Sequence, residues 1–287
     1  MPTKPDEAMI RKIAAAALAE DGAADDVTAA FTGIGEKPLS VKLLALTSGV
    51  LCGMDVVEAV FRETDPAGRV EALLADGDQL ERGTVIARIS GSARGLLAGE
   101  RVALNFLQRL SGVATLTARF VERVAGTGVT ILDTRKTTPL LRALEKYAVL
   151  TGGGGNHRFS LSDMILIKDN HILAAGGLEP LLDRIRKTPA PVTVELEVDS
   201  LDDLEQMLGA PVDRVMLDNF TPAQVRQAVK RIRGYAHAHP GFSLEVEVSG
   251  GVTLDTVRDY AVAGVDYISV GALTHSAPSL DLSIEVE

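Results

Sequence analysis

The chain has a single cysteine, Cys52, no tryptophan, and aromatic residues at only 4% of its 287 positions. One thiol excludes an intramolecular disulfide and a thiolate cage around a metal, which fits a reducing, cytoplasmic compartment and leaves Cys52 a packing role. Positive charge is also scarce, the net charge being −10. A nucleic-acid partner would call for basic surface against phosphates and rings against bases, and the composition provides neither. Long apolar runs are missing too. Ile13 to Leu18 is short, follows Arg11-Lys12 and ends in Glu20-Asp21, so it does not read as a secretory leader, and no stretch reaches the roughly 18 apolar residues of a membrane helix. The chain reads as soluble, with no membrane partner.

What is present is apolar residue at 46% and charge at 24%, in a chain long enough for two cores. Ile10, Ile13, Ala14, Ala17 and Leu18 give Glu7 to Ala19 the spacing of an amphipathic helix. Glu20 to Thr28 reads as an acidic connection. Leu39 to Thr47 and Val50-Leu51 follow as strands, and Asp55 to Arg62 as a short helix that Asp55 could cap. Arg69 to Ala75 and Thr84 to Ile89 are further strands, separated by the turn residues Asp76-Gly77-Asp78 and Glu81-Arg82-Gly83. This part carries no constellation of chemical groups and reads as a scaffold. Gly99 to Ala125 is a long apolar helix, with a break expected at Ser111-Gly112. On the bare sequence, its Arg101 and Arg109 read as surface charges.

From Val129 onward the pattern becomes apolar strand, polar end, helix. The strands are Val129 to Leu132, Met164 to Ile167, Val192 to Val198, Arg214 to Leu217, Leu244 to Val248 and Tyr267 to Val270. Helices over Leu178 to Arg186, Leu201 to Leu208, Pro222 to Ile232 and Thr253 to Ala263 separate most of them. Such alternation predicts a parallel sheet. Without a dinucleotide-binding glycine fingerprint, it favours a closed or nearly closed barrel over an open doubly wound sheet. Ala277 to Glu287 alternates like one more strand, returning to the first domain.

Two strands depart from the continuous apolar runs of a buried parallel sheet. Val194-Glu195-Leu196-Glu197-Val198 and Leu244-Glu245-Val246-Glu247-Val248 alternate acid with aliphatic, which turns the carboxylates into the barrel. An edge strand with one wet face would also alternate, but Asp218 at the end of a third strand favours the lumen. Buried carboxylates need partners, and Lys168, Lys136 and Arg135 are the candidates. Against the negative background, residues 133–171 hold six Lys or Arg to four Asp or Glu. The polar clusters Asp133 to Thr138 and Lys168 to His171 come where strands end, the place where α/β folds keep their chemistry. Gly152 to Gly155 lead into Asn156-His157-Arg158, where backbone N–H groups and cationic side chains could meet one anion. The planar fork of Arg suits a carboxylate. His157 and His171 lack metal-ligand spacing, and no Ser, Cys or Lys pairs convincingly with a base as a nucleophile.

Taken together, several motifs resemble one family. These are Asp133-Thr134-Arg135-Lys136-Thr137-Thr138-Pro139, the Gly-rich Asn156-His157-Arg158, Lys168-Asp169-Asn170-His171, Ser269-Val270-Gly271-Ala272-Leu273-Thr274-His275, and the helix Glu100 to Gly112. Nearly the whole chain, in order, is similar to the quinolinate phosphoribosyltransferases, also called carboxylating nicotinate-nucleotide pyrophosphorylases. Two departures stand out: Leu140 replaces a Gly that usually follows the Pro, and Ala24-Asp25-Asp26 replaces a Gly-Asp.

The resemblance implies an α/β protein: an N-terminal α/β sandwich over residues 1–113, joined by the strand 277–287, and an open TIM-like barrel over 114–276. It implies a pentosyltransferase that joins quinolinate to phosphoribosyl pyrophosphate, releasing pyrophosphate and carbon dioxide and giving nicotinate mononucleotide for NAD biosynthesis. Arg135, His157, Arg158 and Lys168 would then bind quinolinate, with Arg101 supplied by the neighbouring subunit of a homodimer or hexamer. Lys136 would lie between the substrates. Glu197 and Asp218 would meet the ribose hydroxyls and Mg²⁺, and Ser249-Gly250 and Ser269-Val270-Gly271 the phosphate, with Thr134, Gly251 and His275 also in the substrate-binding set. Mg²⁺ is the only cofactor implied. Alternatives are a relative of the ModD type associated with molybdenum transport, an enzyme that uses nicotinate without decarboxylation, and a non-catalytic barrel that binds anionic metabolites. The cluster of Arg101, Arg135, His157 and Arg158 favours two carboxylates over one.

Overall fold

The computed structural model describes residues 4–35 and 37–287. They divide into two compact units, one of residues 4–35, 37–118, 137–153 and 272–287 and the other of residues 119–136 and 154–271.

The first unit begins with α1 (Glu7–Asp21), capped by the Asp6 carboxylate, and α2 (Val27–Thr32), capped by Asp26. Part of the expected acidic connection is therefore helical, because Asp26 accepts from the N–H groups of Thr28 and Ala29. β1 (Pro38–Ala45), β2 (Gly49–Val50), α3 (Met54–Thr64), β3 (Arg69–Ala72), β4 (Gln79–Leu80) and β5 (Val85–Ser92) follow. The cap of α3 comes from a distant residue and not from Asp55: the Asp76 carboxylate accepts from the N–H groups of Gly53 and Met54 at 2.9 and 3.1 Å. β1 and β5 are antiparallel, flanked by β3 on one side and by the C-terminal strand on the other. Helix α1 packs on α3.

α4 (Ala93–Arg123) runs unbroken for 31 residues, without the interruption expected at Ser111-Gly112. Ser111 spends its hydroxyl on Cys52, accepting from its N–H and donating to its carbonyl. Gly112 meets a different need, since a Cβ there would lie 2.1 Å from the Pro278 carbonyl oxygen. It is a point of close approach, not a helix end. Arg109 is not a surface charge either. It donates to the fully buried Glu145, to Ala277 O and to Thr274 O.

The second unit contains a six-stranded parallel sheet. After β6 (Thr130–Leu132) comes α5 (Arg142–Thr151), which clusters with the first unit. Leu140, just ahead of α5, has φ +67° and is 93% exposed. That left-handed conformation favours glycine and costs a branched residue about 1–2 kcal/mol. Then come β7 (Ile165–Ile167), α6 (Asp169–Ala174), α7 (Leu178–Lys187), β8 (Val194–Val198), α8 (Leu201–Met207), β9 (Arg214–Asp218), α9 (Pro222–Ala238), β10 (Glu245–Ser249), α10 (Val257–Tyr260) and β11 (Tyr267–Ser269). Of the helix expected over Thr253 to Ala263, only the single turn α10 forms. The strand order is β6-β11-β10-β9-β8-β7, so β6 and β7 are the two end strands, they do not pair with each other, and the barrel is open between them. The chain ends in α11 (Ala272–His275) and β12 (Leu282–Val286), the latter antiparallel to β1. No helix among the described residues is long and apolar enough to cross a membrane.

Candidate active site

Because the six strands of the second unit are parallel, their C-terminal ends share one rim. Asp133, Arg135 and Lys136 follow β6, Lys168 follows β7, Asp218 ends β9, Ser249 ends β10 and Ser269 ends β11. The open edge of β6 is filled by the glycine-rich segment. Gly155 forms a parallel bridge with Leu132, donating to Ile131 O at 2.7 Å and accepting from Asp133 N–H at 3.2 Å. The buried Asp133 carboxylate then accepts from His157 N–H at 2.9 Å and from the Asn156 side-chain amide at 2.6 Å. Asp133, quoted in the sequence motif without a role, thus anchors the loop that carries His157 and Arg158.

Arg158 is half-buried and donates to Met164 O at 3.3 Å. Burial and then the neighbouring Arg135 guanidinium hold it below the ordinary arginine value, with Glu195 and Asp163 working the other way. Two guanidiniums that disfavour each other's charge, in a chain of net charge −10, are groups that could receive an anion. Lys136 is exposed after a turn in which its N–H meets the Thr134 hydroxyl at 3.0 Å. Lys168 forms an ion pair with Glu197, and its N–H donates to His171 Nδ1 at 3.0 Å, so His171 is used locally.

Every residue of β8 is buried, as a strand covered on both faces requires. Glu195 and Glu247 have no exposed surface, and Glu197 has 9%. Their partners are only partly those expected from the sequence. Lys168 serves Glu197, whereas Glu195 and Glu247 face His157, and Arg214 donates to Glu247 at 3.2 Å. Burial pushes the Glu195 and Glu247 carboxyls up to about 7. Arg214, Glu195 and Glu247 were absent from the sequence-based site. The signal for them was the acid alternation, together with an arginine at the start of a predicted apolar strand.

Asp218 is half-buried and accepts from its neighbour Asn219 Nδ2 at 2.6 Å. Asp218 and Glu197 lie on adjacent parallel strands near their C-terminal ends, Val198 pairing with Leu217. Two carboxylates near the ends of adjacent strands are a donor set that could hold Mg²⁺. Gly250, at φ +95°, lies where a Cβ would be 2.2 Å from Asn219 Oδ1, so the turn Ser249-Gly250-Gly251 closes against the end of β9. Ser269 and Val270 are buried, leaving Gly271 the more accessible of that segment. Arg101, exposed on α4, and His275, exposed in α11, belong to the first unit.

Known proteins share this sequence and architecture. Residues 26–111 match the N-terminal domain of quinolinate phosphoribosyl transferase and residues 113–285 its C-terminal domain. A Bacillus subtilis protein named probable nicotinate-nucleotide pyrophosphorylase [carboxylating] is 42% identical over 255 residues, 88% of this chain and 85% of that one. A chloroplastic Arabidopsis thaliana protein of the same name, without the qualifier, is 38% identical over 94% of this chain and 81% of its own. The solved structure of the nicotinate-nucleotide pyrophosphorylase from Francisella tularensis superposes with a TM-score of 0.90 at 36% identity, covering 99% of this chain and 98% of that one. With both domains matched in order and relatives similar along nearly their whole length, the chain belongs to the quinolinate phosphoribosyltransferase family.

Proposed function

We propose that this chain transfers the phosphoribosyl group of phosphoribosyl pyrophosphate to quinolinate with loss of carbon dioxide, forming nicotinate mononucleotide and pyrophosphate for NAD biosynthesis. What supports the reading most is Arg158, on the loop bridged to β6 and within reach of the Arg135 charge, together with Arg135, Lys136, Lys168 and Asp218 at the ends of parallel strands and Glu197 near the end of β8. Two guanidiniums and Lys168 match a ligand with two carboxylates, and each charge-assisted contact is worth about 1.5–3 kcal/mol.

As the bond from the ribose C1 to pyrophosphate breaks, C1 gains oxocarbenium character, which the Glu197 and Asp218 carboxylates stabilise. The same two residues would hold Mg²⁺, which when bound neutralises phosphate charge. Lys136 lies between the substrates and steadies the departing phosphates. The pyridine nitrogen of quinolinate, oriented by Arg135, Arg158 and Lys168, forms the new bond to C1. When the adjacent carboxylate departs as carbon dioxide, its bonding pair stays on the ring carbon as a carbanion that the positive nitrogen stabilises, and a proton then completes the product. No covalent enzyme intermediate is needed, since proximity alone can supply roughly 7–11 kcal/mol. Ser249, Gly250, Gly251 and Gly271 offer polar backbone for the ribose phosphate, with Thr134, Ser269 and Val270 in the same substrate-binding motifs.

The test is purified protein with quinolinate, phosphoribosyl pyrophosphate and Mg²⁺, followed for carbon dioxide and nicotinate mononucleotide. Equal turnover of nicotinate would reject the dicarboxylate reading. The proposal includes a homodimer in which Arg101 serves the partner's site. Arg101→Ala and Lys136→Ala chains, each inactive alone, should on random subunit exchange recover about a quarter of wild-type activity, because half the dimers are mixed and each has one complete site. Verified exchange without recovery would place Arg101 in its own subunit's site or in none.

A further inference from the structure

Between β9 and α9 the chain turns through Asn219 at φ +58°, a left-handed conformation that, glycines aside, only Asn219 and Leu140 adopt among the described residues. Glycine would enter that region freely, so a side chain at 219 costs backbone energy that glycine would not. Asparagine and aspartate tolerate the conformation best, because their short polar side chains bond locally. Phe220, next in the chain, is buried, and the Thr221 hydroxyl caps α9 by accepting from Gln224 N–H at 3.3 Å. The far side of the turn is therefore fixed.

Asn219 meets the ends of two strands. Its Nδ2 donates to Asp218 Oδ2 at 2.6 Å, and its backbone N–H donates to Ser249 O at 2.9 Å. An ionised carboxylate can only accept, so the amide NH₂ faces Asp218 and the amide oxygen is left to face Gly250. The fit there is close, since a Cβ on Gly250 would overlap that oxygen and the Asn219 Cγ. Gly250, itself at φ +95°, thus leaves room for the amide as well as for its own turn. Asp218 and Ser249 are register partners on β9 and β10, so the amide sits where the two strand ends meet. Lys168 is paired with Glu197, and among the described residues no lysine or arginine pairs with Asp218. The direction of the Asp218 carboxylate therefore depends on the Asn219 amide.

On the functional reading above, we propose that Asn219 is a positioning residue for phosphoribosyl pyrophosphate: its amide, seated against Gly250, orients the Asp218 carboxylate toward the ribose and its Mg²⁺. Asn219 acts through Asp218 and does not itself touch the substrate. Misplacing such a group by about 1 Å can cost roughly 100-fold in rate. Asn219→Gly relaxes the left-handed backbone while removing the amide. It should lower kcat/KM for phosphoribosyl pyrophosphate by about 10- to 100-fold and raise the Mg²⁺ concentration that gives half the maximal rate. Quinolinate affinity, measured by calorimetry, should stay within about threefold of wild type. Asn219→Asp keeps size and turn preference but sets acceptor against acceptor, so it should lose at least as much. A residue that served only the turn would tolerate both changes. Because the loss runs through Asp218, adding Asn219→Gly to Asp218→Asn should cost less than about threefold more.

Steady-state kinetics, calorimetry and thermal unfolding of the purified full chain decide between these roles. Three results would overturn the inference while wild-type turnover stands. One is wild-type kcat/KM for phosphoribosyl pyrophosphate in a folded Asn219→Gly, and another is an equal loss of quinolinate affinity. The third is a full multiplicative loss on top of Asp218→Asn, which would make Asn219 a substrate contact in its own right. Should Asn219→Gly melt well below wild type, Asn219→Asp carries the same test: selective loss toward phosphoribosyl pyrophosphate supports the role, and unchanged kinetics overturn it. Absence of quinolinate turnover by the wild type would overturn the functional reading and this inference with it.

Discussion

Replacing Arg158 with methionine should separate what the guanidinium does for the ligand from what it does for the fold. Without a bound anion, burial and Arg135 both oppose its charge, and its contact with Met164 O is long at 3.3 Å. Relief of repulsion between two partly solvated charges is worth about 0.2–1 kcal/mol. Loss of the hydrogen bond takes away about 0.5–1 kcal/mol, and the methionine stem keeps most of the apolar packing. These nearly cancel, so the ligand-free melting temperature should stay within roughly 4 °C of wild type. Quinolinate affinity should fall roughly 10- to 150-fold, because a charge-assisted contact of about 1.5–3 kcal/mol is gone. Thermal unfolding with and without quinolinate, together with calorimetry for both substrates, measures the two effects. The variant should melt like wild type alone yet lose the ligand-induced rise, and phosphoribosyl pyrophosphate binding should barely change. A much lower melting temperature with quinolinate affinity intact would make Arg158 structural and refute the reasoning.

Glu197→Gln and Asp218→Asn keep shape and remove charge, so in steady-state assays at saturating Mg²⁺ turnover should drop more than quinolinate binding weakens; wild-type turnover in both would make these carboxylates structural. Gly112→Ala should destabilise by roughly 1–3 kcal/mol in denaturant titrations, despite alanine's better helix propensity, because its Cβ would meet Pro278 O at 2.1 Å. A more stable alanine variant would show that the two segments part easily. Burial raises the Glu247 carboxyl from 4.5 to about 7, so the folded state holds a proton that the unfolded chain releases. The stability tied to that proton is full below about pH 4.5 and is lost as pH rises through about 7, at most about 3 kcal/mol. Denaturation curves at pH 5 and pH 8 should therefore differ more for wild type than for Glu247→Gln; parallel behaviour would contradict the raised value.

Much was legible in the sequence because it rests on periodicity and on contiguous motifs. The alternation of apolar strand and helix after Val129 marked the parallel sheet, since each strand buried on both faces needs its own aliphatic run. The acids of Val194 to Val198 and Leu244 to Val248 were visible because period two sets side chains on alternate faces. The clusters around Arg135, His157, Arg158 and Lys168 could be read at strand ends, where a parallel sheet collects them on one rim. Tertiary structure decided the rest, because the partners lie far apart in sequence. The cap of α3 comes from Asp76, more than twenty residues away. The glycine at 112 answers to Pro278, so a local reading took it for a helix break. Arg109 looked like a surface charge until Glu145, Thr274 and Ala277 closed around it. For Glu195 and Glu247 the sequence showed that carboxylates would be buried. Only the pairing of β8, β9 and β10 showed that Arg214 and His157 are their counterparts, because register sets which charges meet inside a barrel.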